Sequence, residues 1–211
     1  MEPLQLALLF ILIISFVIHE MAHGYAADRL GDPTPRLSGR LNGNWFSHID
    51  PLLSVIIPGL LIFTQAPILF GAAKPMPYNP YNFTNQKWGE ALVAAAGPAA
   101  NLVIAIIFAI IVRFADVLNL SAAFIEIALG VIALNIVLTI INLLPIPPLD
   151  GSKILPRFLP LPVRLKYDRL RKWLEMNPLM GFFLIIFFFI SVLGQPLLWL
   201  TETITYALAG F

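Results

Sequence analysis

Leu6-Ala7-Leu8-Leu9-Phe10-Ile11-Leu12-Ile13-Ile14-Ser15-Phe16-Val17-Ile18-His19-Glu20-Met21-Ala22-His23-Gly24 is the stretch that decides the fold. From Leu6 to Ile18 it is apolar except for Ser15. Taken with its flanks, about 4–25, it is long enough to cross a hydrocarbon core of ~30 Å at 1.5 Å per residue. Two histidines then stand four residues apart, with a glutamate beside the first. On a helix, positions i and i+4 share a face, so both imidazoles can reach one metal ion. Zinc takes neutral histidine nitrogens readily, and a catalytic zinc site keeps one position open for water. Glu20 is then the general base toward that water. Ionisable groups at the end of a membrane helix are costly and mark function by default. Two of the chain's three histidines have this spacing.

The composition agrees with a polytopic membrane protein. Of 211 residues, 59% are hydrophobic and 12% charged, about half the ~25% of soluble proteins. A net charge of +1 gives no reason to expect nucleic acid as a partner. With no cysteine there are no disulfides, thiolate zinc sites or cysteine nucleophiles. Met1-Glu2-Pro3-Leu4 has no basic n-region and no small-residue cleavage site follows, so the first helix is expected to be retained. Self-association stays open.

Further apolar spans are expected at about 90–114, 122–144 and 179–200. Segment 52–70 is apolar but interrupted by Pro58-Gly59 and Pro67. The polar stretches between are rich in turn formers, and Arg36–Leu41 suits a small β-hairpin. If 52–70 dips in and returns, twelve of the thirteen Lys and Arg share one face, leaving Arg113 on the other. If it crosses, they divide nine to four. Loops bearing Lys and Arg stay cytoplasmic. The expected fold is therefore all-α: four full transmembrane helices plus one re-entrant segment at 52–70, with short hairpin-like polar loops, in a single membrane-embedded domain over 1–211. The His19–His23 end faces the cytoplasm and the N-terminus lies outside.

A zinc site of this kind needs a third protein ligand. His48, Asp50, Glu126 and Asp150 are the candidates. Asp150 ends Asn142-Leu143-Leu144-Pro145-Ile146-Pro147-Pro148-Leu149-Asp150-Gly151, where prolines stop a span and Gly151 permits a tight turn. It could lean back into the bundle, or cap the next helix at Ser152. His48 lies just before the broken segment and could ligate or touch the site. Glu126 sits near the outer end of its span, where snorkelling suffices. Asn101 and Asn142 lie on adjoining spans. Interhelical hydrogen bonding accounts for such residues; binding substrate backbone or an oxyanion is the functional alternative.

His19-Glu20-x-x-His23, then Gly97-Pro98-x-x-Asn101, then Asn142-x-x-Pro145-x-x-Pro148-x-Asp150-Gly151, in that order and at membrane boundaries, resembles the site-2 protease family of intramembrane zinc metalloproteases. The three motifs cover about two thirds of the chain. The resemblance implies one zinc ion held by His19, His23 and Asp150, water activated by Glu20, and a substrate strand seated with help from Asn142. The implied substrate is a transmembrane protein in the same bilayer. His48 and Ala73-Lys74-Pro75 resemble a compact bacterial or archaeal branch, with no room for a PDZ or CBS domain. A different class of function, a metal or ion transporter with histidines along its path, would favour pseudo-repeats, and none is visible.

Overall fold

The computed structural model describes residues 3–42 and 74–210, and between them positions 48, 51, 56, 59, 60, 63 and 64. The described residues form helices and turns, with no strand among them. Helix α1 (Pro3–Arg29) is followed by a single turn, α2 (Thr34–Leu37). Next come α3 (Gly89–Arg113) and α4 (Ala122–Leu143). Helices α1, α3 and α4 are each long and apolar enough to cross a membrane. Beyond α4 lie a short α5 (Gly151–Ile154), the polar α6 (Leu161–Met176), then α7 (Pro178–Phe188) and α8 (Gly194–Ala209).

The local sequence explains the breaks. Asn119 takes a left-handed turn at φ 51° between α3 and α4, a conformation asparagine tolerates. Ser121 then caps α4, its Oγ accepting from the Phe124 N–H at 3.2 Å. Helices α3 and α4 meet through small residues: Ala105 and Ala109 pack against Ala128, Ile132 and Ile136, with Ala209 of α8 on the same cluster. Small side chains allow the close backbone approach that drives helix association in lipid. Arg113 closes this end of the bundle, donating to the last carbonyls of α8 at Leu208 (2.6 Å) and Ala207 (2.8 Å). Outward, Phe10, Ile107, Ile110 and other large apolar side chains stand exposed, as a lipid-facing surface requires.

Two expectations change. Residues 36–41 are not a hairpin: Asp32 and the prolines at 33 and 35 start the helical turn of α2, and turns continue through Leu41. The span expected at 179–200 is not one regular helix. It is α7 and α8 joined by a π-helical turn at Phe189–Leu193. Pro196 has no N–H to return to the preceding turn, and the ladder shifts just before it. The segment expected to re-enter, 52–70, lies mostly outside the described residues. Its flanks, however, come together. Ala27 of α1 and Val93 of α3 share a core with Phe83, and Arg40 donates to the Lys74 carbonyl at 2.8 Å. The chain thus leaves α1 and enters α3 at the same end of the bundle.

That end is built from polar contacts. Asp32, fully buried, accepts from the Thr34 N–H and hydroxyl, the Asn79 N–H and the Asn82 amide. Burial alone would raise its pKa; these donors outweigh burial and hold it below the usual carboxylate range. Glu90, at the start of α3, lies between Arg157 (2.6 Å) and Arg171 of α6 (2.7 Å).

Candidate metal centre

His19 and His23 lie one turn apart on α1, their rings edge to face with centroids 4.7 Å apart. Asp150 reaches them from beyond α4: Oδ2 is 3.1 Å from His19 Nε2 and 3.2 Å from His23 Nε2. All three are buried. Asp150 occupies the helix-cap position of α5 but its side chain makes no capping bond. The tight joint before α5 depends on Gly151, where a Cβ would overlap the Leu143 carbonyl. Close approach, not a left-handed backbone, is therefore what the glycine permits.

The far sides of the two imidazoles fix their protons. His23 Nδ1 lies 2.7 Å from the Val93 carbonyl, which can only accept, so Nδ1 carries the hydrogen. His19 Nδ1 lies 2.5 Å from Asn101 Oδ1. The orientation of that amide follows from α4. Asn135 Nδ2 donates to the Val131 carbonyl and to Ser15 Oγ, so Asn135 Oδ1 receives the Asn101 amide at 2.8 Å. Asn101 Oδ1 is left for His19. Both Nδ1 atoms are thus donors, and both Nε2 lone pairs point at the Asp150 oxygen.

Three lone-pair donors converging with no proton between them call for a cation. The two nitrogen–oxygen separations are close to the ~3.3 Å edge of a tetrahedron with ~2.05 Å bonds, as zinc makes with nitrogen and oxygen. His19, His23 and Asp150 form a group that could hold a metal ion. Outer partners that set tautomer and ring orientation, here Asn101, Asn135 and the Val93 carbonyl, are the usual companions of such a site. Gly97 of α3 completes the wall: a Cβ there would stand 2.5 Å from both Nε2 atoms.

Glu20 accepts from the Met76 N–H at 2.7 Å, within a stretch from Lys74 to Asn79 that lies in no helix, strand or turn. The other candidates lie elsewhere. Asn142 turns its amide back onto the Leu138 carbonyl of its own helix at 2.9 Å, so it does not bridge helices through that group. His48 is buried and outside the three-residue group. Burial and the charge of Arg40 push its pKa below the usual histidine value. Glu126 is exposed at the opposite end of α4. Asp50 lies outside the described residues. Sequence reasoning missed Asn135, Ser15 and the Val93 carbonyl. An asparagine in the middle of an otherwise apolar helix was the available signal.

Apolar helices enclosing a buried His-His-Asp set beside a glutamate define a membrane-embedded metalloenzyme. The Bacillus subtilis protein YwhC, which bears a zinc-metalloprotease name, is 36% identical over 208 residues, 93% of this chain and 87% of its own. Rip2 of Mycolicibacterium smegmatis, similarly named, is 32% identical over 71% of this chain and 58% of its own. The zinc metalloprotease MJ0392 of Methanocaldococcus jannaschii is 28% identical over 71% of this chain and 33% of its own. The chain belongs to the site-2 protease family of zinc metalloproteases. No family model matches it, and no solved structure does.

Proposed function

We propose that the protein cleaves a peptide bond in or near a transmembrane helix of a membrane-protein substrate, with Glu20 as general base. One observation carries this reading: His19, His23 and Asp150 converge beside Glu20 inside a bundle whose outer surface is apolar. The two Nε2 atoms and the Asp150 carboxylate would hold zinc. Zinc bound there supplies Lewis acidity, lowering the pKa of a water toward ~7 and polarising a carbonyl. Glu20 takes the proton of the attacking water and delivers it to the leaving amine as the C–N bond breaks. The Met76 N–H orients the Glu20 carboxylate for both transfers.

A substrate helix has its backbone already hydrogen-bonded, so it must unwind locally before a carbonyl becomes accessible. The 74–79 stretch, outside any regular element, pairs with an unwound strand by β-addition through main-chain groups left over from its own contacts, among them the Tyr78 N–H. Asn142, half-buried near the end of α4, seats that strand by swinging its amide off the Leu138 carbonyl. The site faces the cytoplasm, because its end of the bundle carries all the described Lys and Arg except Arg113. Nucleic acid has no part in this reading.

Glu20→Gln in proteoliposomes with a panel of single-span substrates is the test. Cleavage should fall by ~10²-fold or more while zinc content is unchanged. Undiminished cleavage, with contaminating proteases excluded, removes Glu20 from the mechanism.

A further inference from the structure

Helix α6 is the most polar of the long helices among the described residues, and its position is constrained at its middle and at its C-terminal end. At its middle it is tied to the chain just beyond α4, where Tyr167 donates to the Pro145 carbonyl at 2.9 Å. Its last residue, Met176, is one residue from Pro178, where the uncharged, apolar α7 begins. A helix of 16 residues, ~24 Å long, that is held beside the end of a membrane-length helix and leads directly into an apolar one is placed to lie along the interface. Its surface suits that place. Leu161, Leu165, Leu170, Trp173 and Met176 are exposed apolar side chains. The same helix carries five Lys and Arg against Asp168 and Glu175.

Between α6 and the 80–86 loop lies a cleft of about 580 Å³. Five cations line it: Arg157, Arg164, Arg169, Arg171 and Lys172. Its acids are already engaged, Glu90 with Arg157 and Arg171, and Asp168 with Arg164 at 3.5 Å. Arg169 and Lys172, one turn apart and exposed, make no ion pair among the described residues. Apolar surface lines it as well: Leu165 and the ring of Tyr81 are exposed.

We propose that α6 lies in the plane of the membrane interface and that this cleft takes the phosphate of an anionic phospholipid. Arg169 and Lys172 meet the phosphate, and the acyl chains run down past Leu165. An interfacial helix gains affinity from buried apolar area and from attraction to anionic headgroups together. A soluble phosphate would use the two cations and leave the apolar surface in water. The proposal rests on the membrane reading of the chain but not on its chemistry, which zinc content and the Glu20→Gln assay test separately.

The experiment uses the full chain in nanodiscs of equal phosphatidylcholine and phosphatidylglycerol, released into a native mass spectrometer. Phosphatidylglycerol should be retained ~3-fold or more over phosphatidylcholine. R169Q/K172Q should erase the preference, while R169K/K172R restores it and K166Q, outside the cleft, leaves it intact. Circular dichroism and zinc content check that each variant is folded. Equal retention of the two lipids by the wild type overturns the proposal. So does an unchanged preference in folded R169Q/K172Q, or a loss in K166Q as large as in that variant. Displacement of the retained lipid by millimolar inorganic phosphate also overturns it, since that marks a soluble-anion site.

Discussion

At Gly97 the absence of a side chain lets α3 lie directly against the Nε2 atoms of His19 and His23, where an added Cβ would stand 2.5 Å from each. Gly97→Ala is therefore expected to cut zinc content to less than ~10% of wild type while helix content is kept. Metal analysis of the purified variant beside its circular dichroism checks this. Full zinc occupancy in Gly97→Ala would mean that α3 stands farther from the histidines. The pairing of His19 with His23 was legible because i, i+4 spacing on a membrane-length helix is a local pattern. The hydrogen-bond chain that sets their tautomers was not. Asn135 gains its meaning from Asn101, 34 positions away, and Ser15, 120 away, and no local pattern marks contacts of that separation. His48 and Asp150 were both open candidates for a third ligand, and of the two Asp150 is the residue whose carboxylate reaches both Nε2 atoms.

Among the elements, the loop carrying Met76 matters most, and Asp32 holds it. Losing a buried carboxylate that accepts four hydrogen bonds strands their donors, so Asp32→Ala should cost ~3 kcal/mol or more. The sign of the pH dependence follows from its pKa, lower folded than unfolded. The contribution is complete above the unfolded value and fades as pH falls through the folded one. The gap in melting temperature between wild type and Asp32→Ala should be full near neutral pH and shrink below about pH 4. Thermal scans at the two pH values decide it, and a gap independent of pH would show that the carboxylate charge is not what binds the loop. At this scale the long spans were readable from hydropathy alone. The π-helical turn at Phe189–Leu193 was hidden, because its residues are as apolar as their neighbours. The missing N–H of Pro196 was the one sequence mark of it. The hairpin expectation failed because Asp32 and the flanking prolines favour starting a helical turn over pairing strands.

For the whole molecule the question is which residues share a face. The chain has no native cysteine, so single substitutions report cleanly. Cysteine at position 36 and at position 74 should be labelled by an impermeant maleimide from the same side of sealed vesicles. Cysteine at position 116, between α3 and α4, should be labelled from the other. Labelling of 36 and 74 from opposite sides would contradict the meeting of Arg40 with the Lys74 carbonyl. The charge count had already favoured this arrangement, because basic residues report the side of a loop without reporting its shape. The meeting of the α1 and α3 ends has an architectural consequence. The excursion from Leu30 to Trp88 begins and finishes at one end of the bundle, so it adds nothing to the parity of crossings. Its length can drift without inverting a single downstream helix, whereas deleting α3 or α4 would turn Asp150 away from the histidines. Variation in such a protein has an open channel in that excursion and a closed one in the spans.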